Sequence, residues 1–213
     1  LPSQVSDGKA QFYKTDAAEC VVSDSQTCTL FVQGDNRPGG VIRVVSGGSI
    51  SNNQNWSAVG YNDSAHMIVE SGGTVNFDGN MWVGLQESSV GILDINGGTV
   101  NAAGQFGLGW DGGTGYVNVN DGVLNLSEWN ATDSIAGDSV LDISGGSVVI
   151  SGDRRSEVDA YVAAGKITAY GGNGLVVSEY DGGTNKTTIT GVTVEGDAPT
   201  PDPAAFDQKP IAL

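Results

Sequence analysis

The sequence predicts an all-β protein: a single-stranded parallel β-helix of about five to six coils, capped at both ends. A double-glycine signal recurs at Gly47-Gly48, Gly72-Gly73, Gly97-Gly98, Asp121-Gly122 and Gly145-Gly146, with spacings of 25, 25, 24 and 24 residues. Short β-branched runs lie on both sides of each signal, and no helical periodicity connects them. Equivalent residues recur once per period in the same chain direction, which favours stacked parallel strands over the hairpins of a sandwich.

Taken in order, the first run of each unit is Ile42-Arg43-Val44-Val45-Ser46, Met67-Ile68-Val69-Glu70-Ser71, Ile92-Leu93-Asp94-Ile95-Asn96, Tyr116-Val117-Asn118-Val119-Asn120 and Val140-Leu141-Asp142-Ile143-Ser144. After the turn come Ser49-Ile50-Ser51, Thr74-Val75-Asn76, Thr99-Val100-Asn101, Val123-Leu124-Asn125 and Ser147-Val148-Val149. One apolar residue between two mostly polar ones is period two, the mark of a strand with one buried face. A third segment follows at Val59-Gly60, Val83-Gly84 and Leu108-Gly109, with a looser counterpart at Ile135-Ala136.

Four regions result: an N-terminal cap with the cysteine pair over 1–41, repeats over 42–151, a capping helix and strands over 152–196, and a proline-rich linker or tail over 197–213. Ser156 to Gly165, with a capping serine, early acids and a terminal glycine, reads as the single helix. Lys166 to Gly172 reads as a sixth degenerate unit, and Thr187 to Val194 as a last strand. Cys20 and Cys28, with seven residues between them in a polar loop, are expected to form a disulfide in an oxidising, extracellular compartment. Leu1-Pro2-Ser3-Gln4 lacks a signal peptide's features, so the chain reads as an already processed, secreted monomer, with no apolar run of membrane-spanning length.

The phrase of alternating apolar residues, two glycines, Ser or Thr, an apolar residue and Asn, seen at 67–76 and 92–101, resembles the β-helical repeats of secreted and surface bacterial proteins, autotransporter-like passengers among them. Tyr161 to Gly172 looks like the closing portion of similar modules appended to bacterial polysaccharide-degrading enzymes. The resemblance implies a β-helical architecture and attachment to a catalytic domain. It does not choose among adhesin, enzyme and carbohydrate-binding module.

Charge narrows the choice. With 25 acidic against 9 basic residues the formal charge is -16, which repels nucleic acid and anionic membranes. From Val44 to Asp153 there are twelve carboxylates and no lysine or arginine. The basic residue that β-helical polysaccharide lyases use against uronates is therefore missing from that span. A β-helical glycoside hydrolase needs paired acids, and the best pair, Asp94 and Asp142, stands two rungs or roughly 10 Å apart, just outside the inverting range. His66, the single histidine, reads as an ordinary turn residue. No cofactor is required, and calcium is the one ion that the Asp94, Asn118 and Asp142 column could accept.

The remaining signal is aromatic. Trp56, Trp82, Trp110 and Trp129 follow the first glycine position of their motifs by nine, ten, thirteen and eight residues, an uneven offset that one buried column would not show. If Met81 and Val83 face inward, Trp82 faces outward. Exposed rings suit the C–H faces of sugars, and rungs about 4.8 Å apart step at a distance comparable with one hexose unit. Trp82 and Trp110 lead the candidate carbohydrate-binding residues, followed by Trp56 and Tyr61. Asn76 and Asn101 come next, as hydroxyl-binding amides or, with Asn125, as a structural ladder. The expected function is a non-catalytic module that binds a polysaccharide, a neutral one on grounds of charge or an anionic one only through bound calcium; a hydrolase and an adhesin scaffold are the alternatives.

Overall fold

The computed structural model describes residues 3–6, 9–53, 56–129 and 134–194. The chain enters through an antiparallel hairpin of β1 (Ser3–Ser6) and β2 (Lys9–Lys14). A parallel β-solenoid of about six turns follows. Its first coil comprises β3 (Glu19–Val22), β4 (Ser25–Cys28) and β5 (Leu30–Gln33). The second comprises β6 (Val41–Val44), β7 (Ser49–Asn52) and β8 (Ser57–Val59), and the third β9 (Ala65–Glu70), β10 (Thr74–Phe77) and β11 (Met81–Val83). In the fourth and fifth coils the strands run together as β12 (Val90–Leu108) and β13 (Thr114–Glu128), whose pairing shifts register at the glycine corner and again after Ala102. Then come β14 (Val140–Ile143), β15 (Ser147–Ser151), α1 (Arg155–Ala163), β16 (Ile167–Ala169), β17 (Gly174–Asp181) and β18 (Lys186–Thr193).

Three parallel faces arise from this stacking. Face A holds β3, β6, β9, the starts of β12 and β13, β14 and β16. Face B holds β4, β7, β10, the later parts of β12 and β13, and β15. Face C holds β2, β5, β8, β11 and the end of β12, and Leu108 bridges in parallel to Ile135. Thr74-Val75-Asn76 lies in register with Thr99-Val100-Asn101, as the period requires. Ile50, Val75, Val100, Leu124 and Val148 form one inward column and Ile42, Met67, Leu93, Val117, Leu141 and Ile167 another, all of them buried. Each rung covers its neighbour's apolar face, and this burial holds the solenoid together.

The double glycines are explained by the corner between faces A and B. Gly47, Gly72 and Gly97 have φ of +82°, +76° and +89°, the left-handed region that a side chain disfavours. The second glycine lies on the coil beneath: a Cβ on Gly48 would stand 2.1 Å from the carbonyl oxygen of Val22.

The cysteines depart from expectation. Cys20 and Cys28 are free thiols. The two strands that carry them do not form a hairpin; β3 pairs with β6 on face A and β4 with β7 on face B, across a corner. Cys20 stands in register with Ile42 and Cys28 with Asn52, so both occupy inward positions within residues 1–41, where parallel stacking has already begun. Burial pushes the Cys28 thiol up to about 11 and raises that of Cys20 as well.

At the far end, β18 runs antiparallel to β15 and β17 antiparallel to β18, covering the last edge of face B. The expected final strand is therefore present, and Lys166 to Gly172 does start another rung through β16 on β14. The helix is real but is not capped by Ser156. Arg154 occupies the N-cap without a side-chain capping bond, and the Ser156 hydroxyl, inside the first turn, donates to Glu157. Gly165, at φ +69°, ends it. The linker expected over 197–213 lies outside the described residues.

Candidate functional site

Alternation on face C sends Met81 and Val83 into the core and Trp82 outward, as the pattern implies. The outward register on this face runs Tyr13, Val32, Ala58, Trp82 and Gly107. Small residues flank Trp82 on both neighbouring rungs, leaving room for its indole to lie along the surface. A Cβ on Gly107 would come within 2.5 and 2.6 Å of the Trp82 ring, so the glycine is what admits the ring. Trp110, two residues beyond β12, packs on Trp82 with centroids 4.8 Å apart and planes tilted by 37°. Trp56 and Tyr61 bracket β8 and meet each other at 5.2 Å.

These residues, with Ala58 and Leu85, make a second apolar cluster outside the lumen. Trp82 faces outward yet is only 8% exposed, because Trp110 and its other neighbours cover it. It is the floor of the cluster. Trp56, Tyr61 and Trp110 are half-buried and present the accessible ring surface. Gln86 fixes Tyr61: its Nε2 donates to the phenolic oxygen at 3.0 Å, and its backbone N–H donates to the Tyr61 carbonyl at 2.8 Å. Tyr13 extends the aromatic face toward the N-terminus; partial burial, then the negative charge of Asp35, raises its phenol above the ordinary range.

Four of the six residues singled out from sequence thus converge: Trp56, Tyr61, Trp82 and Trp110. The other two do not join them. Asn76 and Asn101 stand on face B in an amide ladder, where Asn101 Nδ2 donates to Asn76 Oδ1 at 2.7 Å and Asn125 Nδ2 to Asn101 Oδ1 at 2.8 Å. Trp129 belongs to the core, edge-on to Tyr161 of α1 at 5.5 Å. Tyr13, Leu85 and Gln86 escaped the sequence reading. The signal for Tyr13 was its place in a rung, visible only once residues 9–33 are recognised as stacking on the second coil.

Face A holds the carboxylate column. His66 is not in a turn; it lies in β9, with Nε2 at 2.7 Å from Asp94 Oδ2, while Asn118 Nδ2 donates to Asp94 Oδ1 at 2.7 Å. Asp142 is buried and accepts from Thr168 Oγ1 at 2.6 Å, the Gly171 N–H at 2.9 Å and Ser144 Oγ at 2.8 Å. Those three bonds satisfy a buried carboxylate, and the two from Thr168 and Gly171 pin the final rung to the coil of β14. No protein-family model, curated protein or solved structure matches the chain.

Proposed function

We propose that face C is the binding surface of a non-catalytic carbohydrate-binding module that recognises a polysaccharide and serves a larger, secreted polysaccharide-degrading enzyme. The carrying observation is the half-exposed trio of Trp56, Tyr61 and Trp110 held on a floor of Trp82. A ring held in place loses little conformational freedom on binding and offers a flat apolar face to sugar C–H groups. The cluster draws on three successive coils, so a chain lying along the solenoid axis would meet a ring at more than one step. Polysaccharide pull-down and titration with Trp110→Ala test the reading. The variant should bind more weakly by about 1–3 kcal/mol at an unchanged melting temperature. Undiminished affinity in Trp110→Ala and Trp56→Ala would remove the site.

A hydrolase on the same scaffold is the second reading, and the His66–Asp94 pair is what favours it, since a histidine held by a carboxylate can relay protons. Reducing ends released by the wild type and lost in Asp94→Asn would establish it. Binding without release in either protein would exclude it for that polysaccharide.

A further inference from the structure

Resting on the reading of face C as a polysaccharide surface, we infer that its ligand is a cationic amino-sugar polymer rather than the neutral glycan that net charge alone suggests. The loops leaving face C carry acids beside the rings on successive coils: Asp35 on the first, Asp63 on the second, Glu87 on the third and Asp111 on the fourth. Trp110 directly precedes Asp111, and Gln86, which holds the Tyr61 hydroxyl, directly precedes Glu87. Gln86 bridges to Gly112, and a Cβ on Gly112 would touch the Glu87 side chain at 3.6 and 3.8 Å, so Glu87 and the Asp111 loop are neighbours on adjacent rungs. Glu87 and Asp111 are exposed; Asp35 accepts from Asn36 and Asn62, and Asp63 from the Ser64 N–H.

Arg37 is the single cation on these four loops, and it sits at their N-terminal end. The second, third and fourth coils therefore each carry both a ring and an acid on this side, with rungs about 4.8 Å apart. A neutral sugar would engage the rings and offer the carboxylates hydroxyl hydrogen bonds but no opposite charge, and a uronate would be repelled by them. A protonated amino sugar engages both, its ammonium pairing with Glu87 or Asp111 and lying over the indole face.

The test is titration of a soluble polyglucosamine, its N-acetylated counterpart and a neutral β-glucan at about pH 5.5, where amines and carboxylates are both charged. Two double variants that remove equal charge are compared, Glu87→Gln with Asp111→Asn beside the rings, and Asp159→Asn with Glu179→Gln on the C-terminal cap. Asp111 has φ +50°, a conformation that asparagine also accepts, and all four acids are exposed, so both proteins should fold. Tightest binding should be to polyglucosamine, weakening with salt; the local pair should lose roughly threefold to tenfold and the distal pair nothing. Equal losses in both pairs would reduce the attraction to net charge and overturn the inference. Equal or tighter binding of the neutral polymers, with the local pair inert and Trp110→Ala impaired, would overturn the ligand class and leave the surface standing. Full binding of every polymer by Trp110→Ala would instead overturn the underlying reading.

Discussion

Replacing Gly107 with alanine places one methyl group where the Trp82 ring lies. The new Cβ would stand 2.5 and 2.6 Å from ring carbons, against a carbon–carbon optimum of about 3.5–4.0 Å. The ring must therefore retreat by about 1 Å, yet Trp110 packs on it at 4.8 Å and Ala58 occupies the preceding rung. Overpacking of this kind costs about 1–3 kcal/mol. At about 2–4 °C per kcal/mol for a chain of this size, the melting temperature should fall by about 2–12 °C. Because Trp110 is displaced with Trp82, near-ultraviolet circular dichroism should change and polysaccharide affinity should drop in the same variant. Gly182→Ala is the control: its Cβ would meet the Tyr180 ring at an ordinary 3.7 Å, and melting should stay within experimental scatter of wild type. A Gly107→Ala protein with native melting and a native aromatic spectrum would show that Trp82 does not lie over Gly107.

Other outcomes follow from the same packing. Val100→Asp should abolish cooperative melting, because an unpaired carboxylate in the inward column of face B costs several kcal/mol; a soluble variant with native melting would contradict the register. Trp82→Ala should lose roughly 3–5 kcal/mol of stability as well as binding, unlike Trp110→Ala, and denaturant titration separates the two. Asn101→Ala removes both of its ladder bonds and should cost about 1–2 kcal/mol by denaturant titration while leaving polysaccharide affinity intact. The Cys28 thiol, raised by burial from an ordinary 9.0 to about 11, binds its proton more tightly in the folded than in the unfolded chain. Its contribution is complete below about pH 9 and declines as pH rises toward 11, so Cys28→Val should flatten the alkaline fall in melting temperature. An unchanged alkaline slope would place Cys28 outside the core.

The register of the coils was legible because a period of 24 or 25 residues with glycines at each corner allows few ways to stack Val75, Val100 and Leu124. The outward turn of Trp82 was legible for a similar reason, since alternation depends only on its immediate neighbours. Its burial was not. That depends on Trp110 arriving from the next coil at a longer offset and on Gly107 falling opposite it, neither of which a single strand reveals. The cysteines were misread because a short polar loop between two strands fits a hairpin as well as a solenoid corner; only the pairing of each strand with its own later rung separates the two. His66 and Asp94 are 28 residues apart, between one and two periods, and their contact runs diagonally across rungs, where column matching does not look.

Side-chain oxidation of the tryptophans, mapped by peptide mass with and without saturating polysaccharide, bears most directly on the assignment of face C. In the free protein Trp56 and Trp110 should react faster than Trp82 and Trp129, which are 8% and 5% exposed. Bound polysaccharide should slow oxidation at Trp56 and Trp110 specifically. A polysaccharide that binds saturably while both rings keep their free-state reactivity would place the site elsewhere on the molecule and contradict the account.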